Sequence, residues 1–252
     1  MCLYNNEFYE NRHNDTVYSA ERILAIIQEI VPKIKSAVDL GCGVGTWLSV
    51  LEKRGASEVC GIDGNWVNKD YLEIQPQNFI EHNFSEGTPP KISNRTFDLA
   101  ISLELAEHLP SSCADGLISL LASLSDVVLF SAAIPCQGGI GHINEQWPDY
   151  WIALFEKQGF IPLDTIRKRI FDDEKIQYWY RQNILLFIKD YKIKELHAED
   201  IVIQHIPAEV YLLSFRKILS SLKPKEDPSP SIIQSLKFLL DAIKRRIKSY
   251  ER

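Results

Sequence analysis

No stretch of this 252-residue chain approaches the roughly 20 consecutive apolar residues that a membrane-spanning helix needs, so no span is expected. Basic charge is also short, with 28 Lys and Arg against 34 Asp and Glu and a net charge of −6. A surface built to neutralise phosphates needs the opposite balance, and a nucleic-acid partner is therefore not expected. The five cysteines, Cys2, Cys42, Cys60, Cys113 and Cys136, include no C-x-x-C pair. Such an odd, scattered set fits reduced thiols in the cytoplasm and not a disulfide frame or a structural zinc site. Met1 to Glu7 lack a basic segment leading into an apolar core, so no secretory signal is expected. No internal repeat is visible.

What is present is the patterning of a globular α/β protein, with 45% hydrophobic and 25% charged residues. Ile23, Leu24, Ile26, Ile27 and Ile30 predict an amphipathic helix over Tyr18 to Val31, stopped by Pro32. Strands are predicted at 37–40, 59–63, 78–84, 97–103 and 126–131, and helices at 46–53, 111–123 and 148–158. Gly55 and Gly159 are placed to end two of those helices. Two further strands are predicted at 160–166 and 180–189. Seven strands with helices among the first five predict a mostly parallel, doubly wound sheet over residues 1–190. Residues 191–252 read as a helical C-terminal extension, interrupted by a Pro-rich linker at Lys223 to Pro230. In 231–252 an apolar face opposes Lys237, Lys244, Arg245, Arg246 and Lys248. That helix suits either a membrane surface or packing, on its own domain or in a homo-oligomer.

The chain is organised around Ala37 to Trp47, where a short apolar run passes through Asp39 into Gly41, Gly43 and Gly45 and then into a helix. Glycine allows positive φ and a close approach of backbone to a ligand. Asp63 ends the second predicted strand, roughly 20 residues after Gly41, where a carboxylate can bond ribose hydroxyls. His82-Asn83-Phe84 ends the third, and Phe97 to Glu104 gives the fourth an acidic end. Polar groups thus gather at the carboxyl edge, where open α/β sheets bind ligands. A nicotinamide dinucleotide would want G-x-G-x-x-G spacing, which is not found here.

In these features the chain resembles the class I S-adenosylmethionine-dependent methyltransferases over about residues 18–189. Val38 to Gly45 match the first motif, Gly61-Ile62-Asp63 the second, and Phe97 to Leu109, ending Glu107-His108-Leu109, the fourth. The resemblance implies a Rossmann-like fold with S-adenosylmethionine as cofactor, bound by Asp39, Gly41, Gly43, Gly45, Trp47, Asp63, Asn83, Leu103 and Glu104. Asp39 would orient the methionine amino group, Asp63 the ribose and Asn83 the adenine. The family commonly has an acid at the Asn83 position. The N-terminal Tyr9, Arg12 and His13 would close over the cofactor or belong to a loosely docked terminus.

The loop Ser131 to Pro148 follows the fifth strand and carries Gly138, Gly139, Gly141, His142, Asn144 and Glu145. Its Gly-His-x-Asn-Glu-Gln-Trp run, with Trp179 to Asn183 later, resembles methyltransferases of surface-glycan and natural-product pathways. His142 is the candidate base, with Asn144 and Glu145 beside it, for O-methylation of a small-molecule or glycan hydroxyl. His142 as a loop-pinning residue is the structural alternative, and His108 reads as structural or cofactor-side. N- or C-methylation of a metabolite, or a non-catalytic cofactor-binding subunit, are the alternative functions. No second acid stands at a spacing suited to share a divalent metal with Glu145, so no metal ligand is expected.

Overall fold

Seven strands form one sheet in the order β3-β2-β1-β4-β5-β7-β6. The structure is a computed structural model that describes residues 6–86, 92 and 95–196. The predicted helix at 231–252, and all of the extension past residue 196, lie outside the described residues. So do the side chains of Tyr9, Arg12 and His13.

Helix α1 (Asn6–Ile30) precedes β1 (Ser36–Leu40), α2 (Thr46–Lys53), β2 (Glu58–Asp63), β3 (Phe79–Glu81) and β4 (Leu99–Leu103). Then come α3 (Ala114–Leu124), β5 (Val127–Ser131), α4 (Pro148–Lys157) and β6 (Phe160–Leu163). Helices α5 (Thr165–Ile170) and α6 (Tyr178–Asn183) lead to β7 (Leu185–Lys189) and α7 (Asp190–Glu195). β1 to β5 pair in parallel, while β7 runs antiparallel to both β5 and β6. The mostly parallel, doubly wound sheet expected from the sequence is therefore present. β4 and β5 are buried along their whole length, as apolar strands covered on both faces must be. The strand order reverses between β1 and β4, which opens a crevice at their carboxyl ends.

Several boundaries differ from the sequence-based ones for identifiable reasons. The first helix begins at Asn6 and not near Tyr18. β4 starts later because Asp98 turns its carboxylate to the chain start of β1. There Oδ2 accepts the N–H groups of Lys35 (2.7 Å) and Ser36 (2.9 Å). β3 ends at Glu81 because Asn83 opens a 3-10 turn over Phe84–Glu86. The predicted strand at 160–166 stops at Leu163, and α5 follows. The predicted strand at 180–189 is helical over its first residues: Arg181 donates to the Ile176 and Phe171 carbonyls, and Ile184 N–H to Tyr180 O.

The short helix α6 carries polar side chains to the sheet edge, and a buried ion pair holds it there. Arg167 and Asp164 are 1% and 3% exposed and bonded to each other, and Arg167 Nη1 donates to Gln182 O at 3.1 Å. Removing one member of a buried pair leaves an uncompensated charge, at a cost of about 3–5 kcal/mol. Asp164→Ala is expected to lose that much stability in urea unfolding, and a loss below about 1 kcal/mol would contradict this role for the pair.

Candidate active site

The turn between β1 and α2 closes on itself and on its neighbours. Gly41 and Cys42 donate to Ile62 O (2.8 and 3.2 Å) and Gly45 donates to Cys42 O (2.9 Å). Gly41, Gly43 and Gly45 all have positive φ, at 82°, 56° and 89°. Their roles differ. A Cβ on Gly41 would lie 2.9 Å from Leu105, and one on Gly45 would lie 3.0 Å from Ile74, so these two are needed for packing. A Cβ on Gly43 would meet nothing within 4 Å, which makes it the glycine that leaves room beside the turn. Trp47 is buried on α2 and packs edge-to-face on Tyr180, with ring centroids 5.3 Å apart.

Two buried carboxylates border this turn. Asp63 Oδ2 accepts the Gly43 N–H and Oδ1 the Gly64 N–H, both at 2.7 Å. Burial raises the Asp63 pKa, against the lowering effect of those N–H groups. Burial, and then the Asp63 charge, push the Asp39 pKa well above the usual carboxylate range. Asn83 stands apart. Its Oδ1 accepts from Ser85 N (3.1 Å) and its Nδ2 donates to Glu86 Oε1 (3.1 Å), so its amide is engaged in the local turn.

At the end of β4, past the buried Leu103, Glu104 adopts φ 53°. For a residue other than glycine that conformation stores of order 1–3 kcal/mol, and it turns the chain sharply into the 3-10 turn Ala106–His108. Glu104 Oε2 accepts from Gln137 Nε2 (3.0 Å) and Oε1 from Asn183 Nδ2 (3.1 Å). Gln137 Oε1 in turn accepts from Asn183 (2.8 Å) and Gln182 (3.0 Å). Sequence reasoning missed this amide network because Gln182 and Asn183 had been read as strand. The polar run Arg181-Gln182-Asn183, unusual for a strand buried on both faces, was the available signal. Burial also pushes the Tyr180 pKa up to about 12, with contributions from the Glu104 and Asp39 charges.

The loop after β5 is clamped onto that turn. Glu107 O accepts the N–H groups of Ile143 (2.9 Å) and Asn144 (3.0 Å). Glu145 gathers the loop, Oε2 accepting from Cys136 N (2.8 Å) and Oε1 from Gly138 N (3.0 Å). Glu145 Oε1 also lies 2.9 Å from His142 Nδ1, so the ring is oriented by a carboxylate. Asn144 is only 4% exposed; its Nδ2 donates to Ala106 O and its Oδ1 accepts from Gln146. It therefore fastens the loop and does not stand beside His142 as a free polar group. His142 packs edge-to-face on His108 at 4.8 Å between centroids, against the bare backbone of Gly139. Burial, then His142, lower the His108 pKa. Glu107 is fully buried, and its carboxyl meets the Glu104 carboxyl and, loosely, the backbone N–H groups of Ala133 and of Glu107 itself. Its pKa is pushed up to about 9, first by burial and next by the Glu104 charge.

A family model described as a methyltransferase domain matches residues 12–170. The chain belongs to this methyltransferase family. It is an S-adenosylmethionine-dependent methyltransferase. No curated protein matches the sequence. Among solved structures, the methyltransferase is similar to a sugar N-methyltransferase from a Streptoalloteichus species, at 13% identity and a TM-score of 0.56. That match covers 74% of this chain and 96% of the other. DesVI of Streptomyces venezuelae gives 13% identity and a TM-score of 0.54, over 73% and 96% of the two chains. The magnesium protoporphyrin IX methyltransferase of Synechocystis PCC 6803, solved with SAH, gives 19% and 0.51, over 75% and 89%. At these identities the likeness is one of fold. No described helix of the methyltransferase is long and apolar enough to cross a membrane.

The described residues fit the cofactor. A buried Asp39 beside a buried Asp63 is costly until a cation arrives, and the ammonium of the methionine portion is one. The open side of Gly43 gives backbone access at the same turn. Gly43→Ala is expected to fold, with roughly 1–2 kcal/mol lost to the left-handed backbone, and to bind S-adenosylhomocysteine at least about tenfold more weakly. Calorimetric titration checks this, and an unchanged affinity would contradict the assignment of Gly43 to the ligand.

Proposed function

We propose that the enzyme O-methylates a hydroxyl of a small molecule or glycan. The carboxyl ends of β1, β2 and β4 form the cofactor side. On that side Gly41, Gly43 and Gly45 offer backbone, Asp39 orients the amino group and Asp63 the ribose hydroxyls. Trp47, Leu103 and Glu104 complete the wall, and Asn83 contributes the adenine contact by releasing Glu86. The catalytic unit is residues 1–190, with 191–252 as an appendage whose contact with a membrane surface or a second subunit belongs to the same proposal.

One observation carries the acceptor side: His142 is oriented by Glu145, which is itself held by two backbone N–H groups. With Nδ1–H donating to Glu145, Nε2 keeps its lone pair and can take the proton of an acceptor hydroxyl. Glu145 fixes the ring and supports the imidazolium that results, and Asn144 acts one step back by locking the loop. When bound, S-adenosylmethionine supplies a sulfonium methyl that a nucleophilic oxygen can accept. The chain's own task is then positioning, with proton removal as a smaller factor.

The test is release of S-adenosylhomocysteine on a panel of sugars and small alcohols, beside matched amines. His142→Gln is expected to lower kcat by about 10²–10⁴-fold while cofactor affinity stays within about twofold. Full activity in that variant would remove His142 from catalysis. Turnover confined to the amines would replace O-methylation by N-methylation.

A further inference from the structure

The loop and the β4 exit bring together three metal-ligating side chains that lie far apart in the sequence. Glu107, His108 and His142 each offer one ligand atom, all within 4.8 Å of one another. We infer that these three residues form a binding site for a first-row divalent cation at the acceptor side of the enzyme.

Three features favour a cation over a packed polar cluster. Glu107 is completely buried with its carboxyl against that of Glu104 and only loose contacts to backbone N–H groups, which is costly for two adjacent carboxyls with no cation beside them. Each imidazole also has an outer acceptor on one side. His142 Nδ1 meets Glu145 at 2.9 Å, and the His108 ring bonds the Gly141 backbone. Metal-binding histidines use that arrangement, since the outer bond fixes the tautomer and frees the second nitrogen. Finally, the two segments are fastened to each other at the site, through Glu107 O and the N–H groups of Ile143 and Asn144. Ligand atoms about 2.0–2.2 Å from one cation stand roughly 3–4 Å apart, so the widest pair in the cluster needs to close by about 1 Å.

Two imidazoles and one carboxylate suit Mn²⁺, Fe²⁺, Co²⁺ or Zn²⁺ better than Mg²⁺, which prefers oxygen alone. Three protein ligands leave positions open for the oxygens of an acceptor. A hydroxyl on the cation has a lowered pKa and releases its proton to water. With the cation bound, His142 acts as its ligand and not as the base, so the two roles are alternatives that activity with and without EDTA separates. This catalytic consequence rests on the O-methylation proposal, whereas the binding of the cation does not.

The experiment is titration of the untagged full chain with Co²⁺, read by its visible absorption and by equilibrium dialysis, followed by activity with and without EDTA. One Co²⁺ per chain is expected, displaced by Zn²⁺ and removed by EDTA. His108→Ala is expected to lose the site, and Glu145→Gln to weaken it by about 10–100-fold. Paramagnetically shifted imidazole N–H signals from two histidines in the wild-type protein give the same answer without a variant. No binding of Co²⁺, Mn²⁺ or Zn²⁺ at about 1 mM would overturn the inference, as would binding that survives loss of Glu107, His108 and His142 together. EDTA-resistant methylation of a hydroxyl by metal-free enzyme would remove the cation from catalysis and leave the O-methylation proposal standing. Cation binding with no turnover of any hydroxyl would do the reverse.

Discussion

Four carboxyl groups, Asp39, Asp63, Glu104 and Glu107, are gathered at one edge of the sheet, and most of the site's local structure is a response to that crowding. Asp63 is compensated by the N–H groups of Gly43 and Gly64. Glu104 is compensated by the amides of Gln137 and Asn183. Glu107 meets only the Glu104 carboxyl and loosely held backbone N–H groups, and the raised pKa of that group reports the cost. Asp39 is the other uncompensated member, with a pKa pushed well up by burial. A protein keeps buried acids in this state where a cationic ligand or a proton-handling step repays the cost. A sulfonium cofactor with a free ammonium on one side, and a divalent cation on the other, are the two ligands that fit.

The same crowding explains why elements distant in sequence converge here. Glu104 in its strained backbone conformation ends β4 abruptly and presents its carboxylate to Gln137 from the β5–α4 loop and Asn183 from α6. Gln137 links both partners, so the β4 exit, the β5–α4 loop and α6 share one hydrogen-bond network. The Arg167–Asp164 pair then anchors α6 from behind. Fold and site are thus coupled: shifting the helix before β7 would move the groups that hold Glu104.

Much of the fold was legible because apolar period and turn chemistry agreed. The bounds of α2, the glycines at 41, 43 and 45, and the acid ending β2 all follow from local signals. What escaped was held by tertiary contacts. Tyr180 to Asn183 read as strand because an apolar β7 follows directly, yet Arg181 ties them into a helix. Asn144 looked like part of the catalytic group, but its amide is consumed by Ala106 O and Gln146. Asn83, followed three residues later by Glu86, carried a capping signal that its position at a strand end obscured. The meeting of His108 with His142 had no local signal at all, since only the loop clamp at Glu107 O creates it.

The central claim is that one crevice at the carboxyl ends of β1, β2 and β4 holds the methyl donor and faces the His108–His142 side. A crystal structure with S-adenosylhomocysteine bound tests it most directly. The account predicts the amino-acid portion against Gly43 and Asp39, the ribose on Asp63, and the sulfur turned toward the turn that carries Glu107. A ligand bound away from the Gly41–Gly45 turn, or with its sulfur facing away from His142, would contradict it.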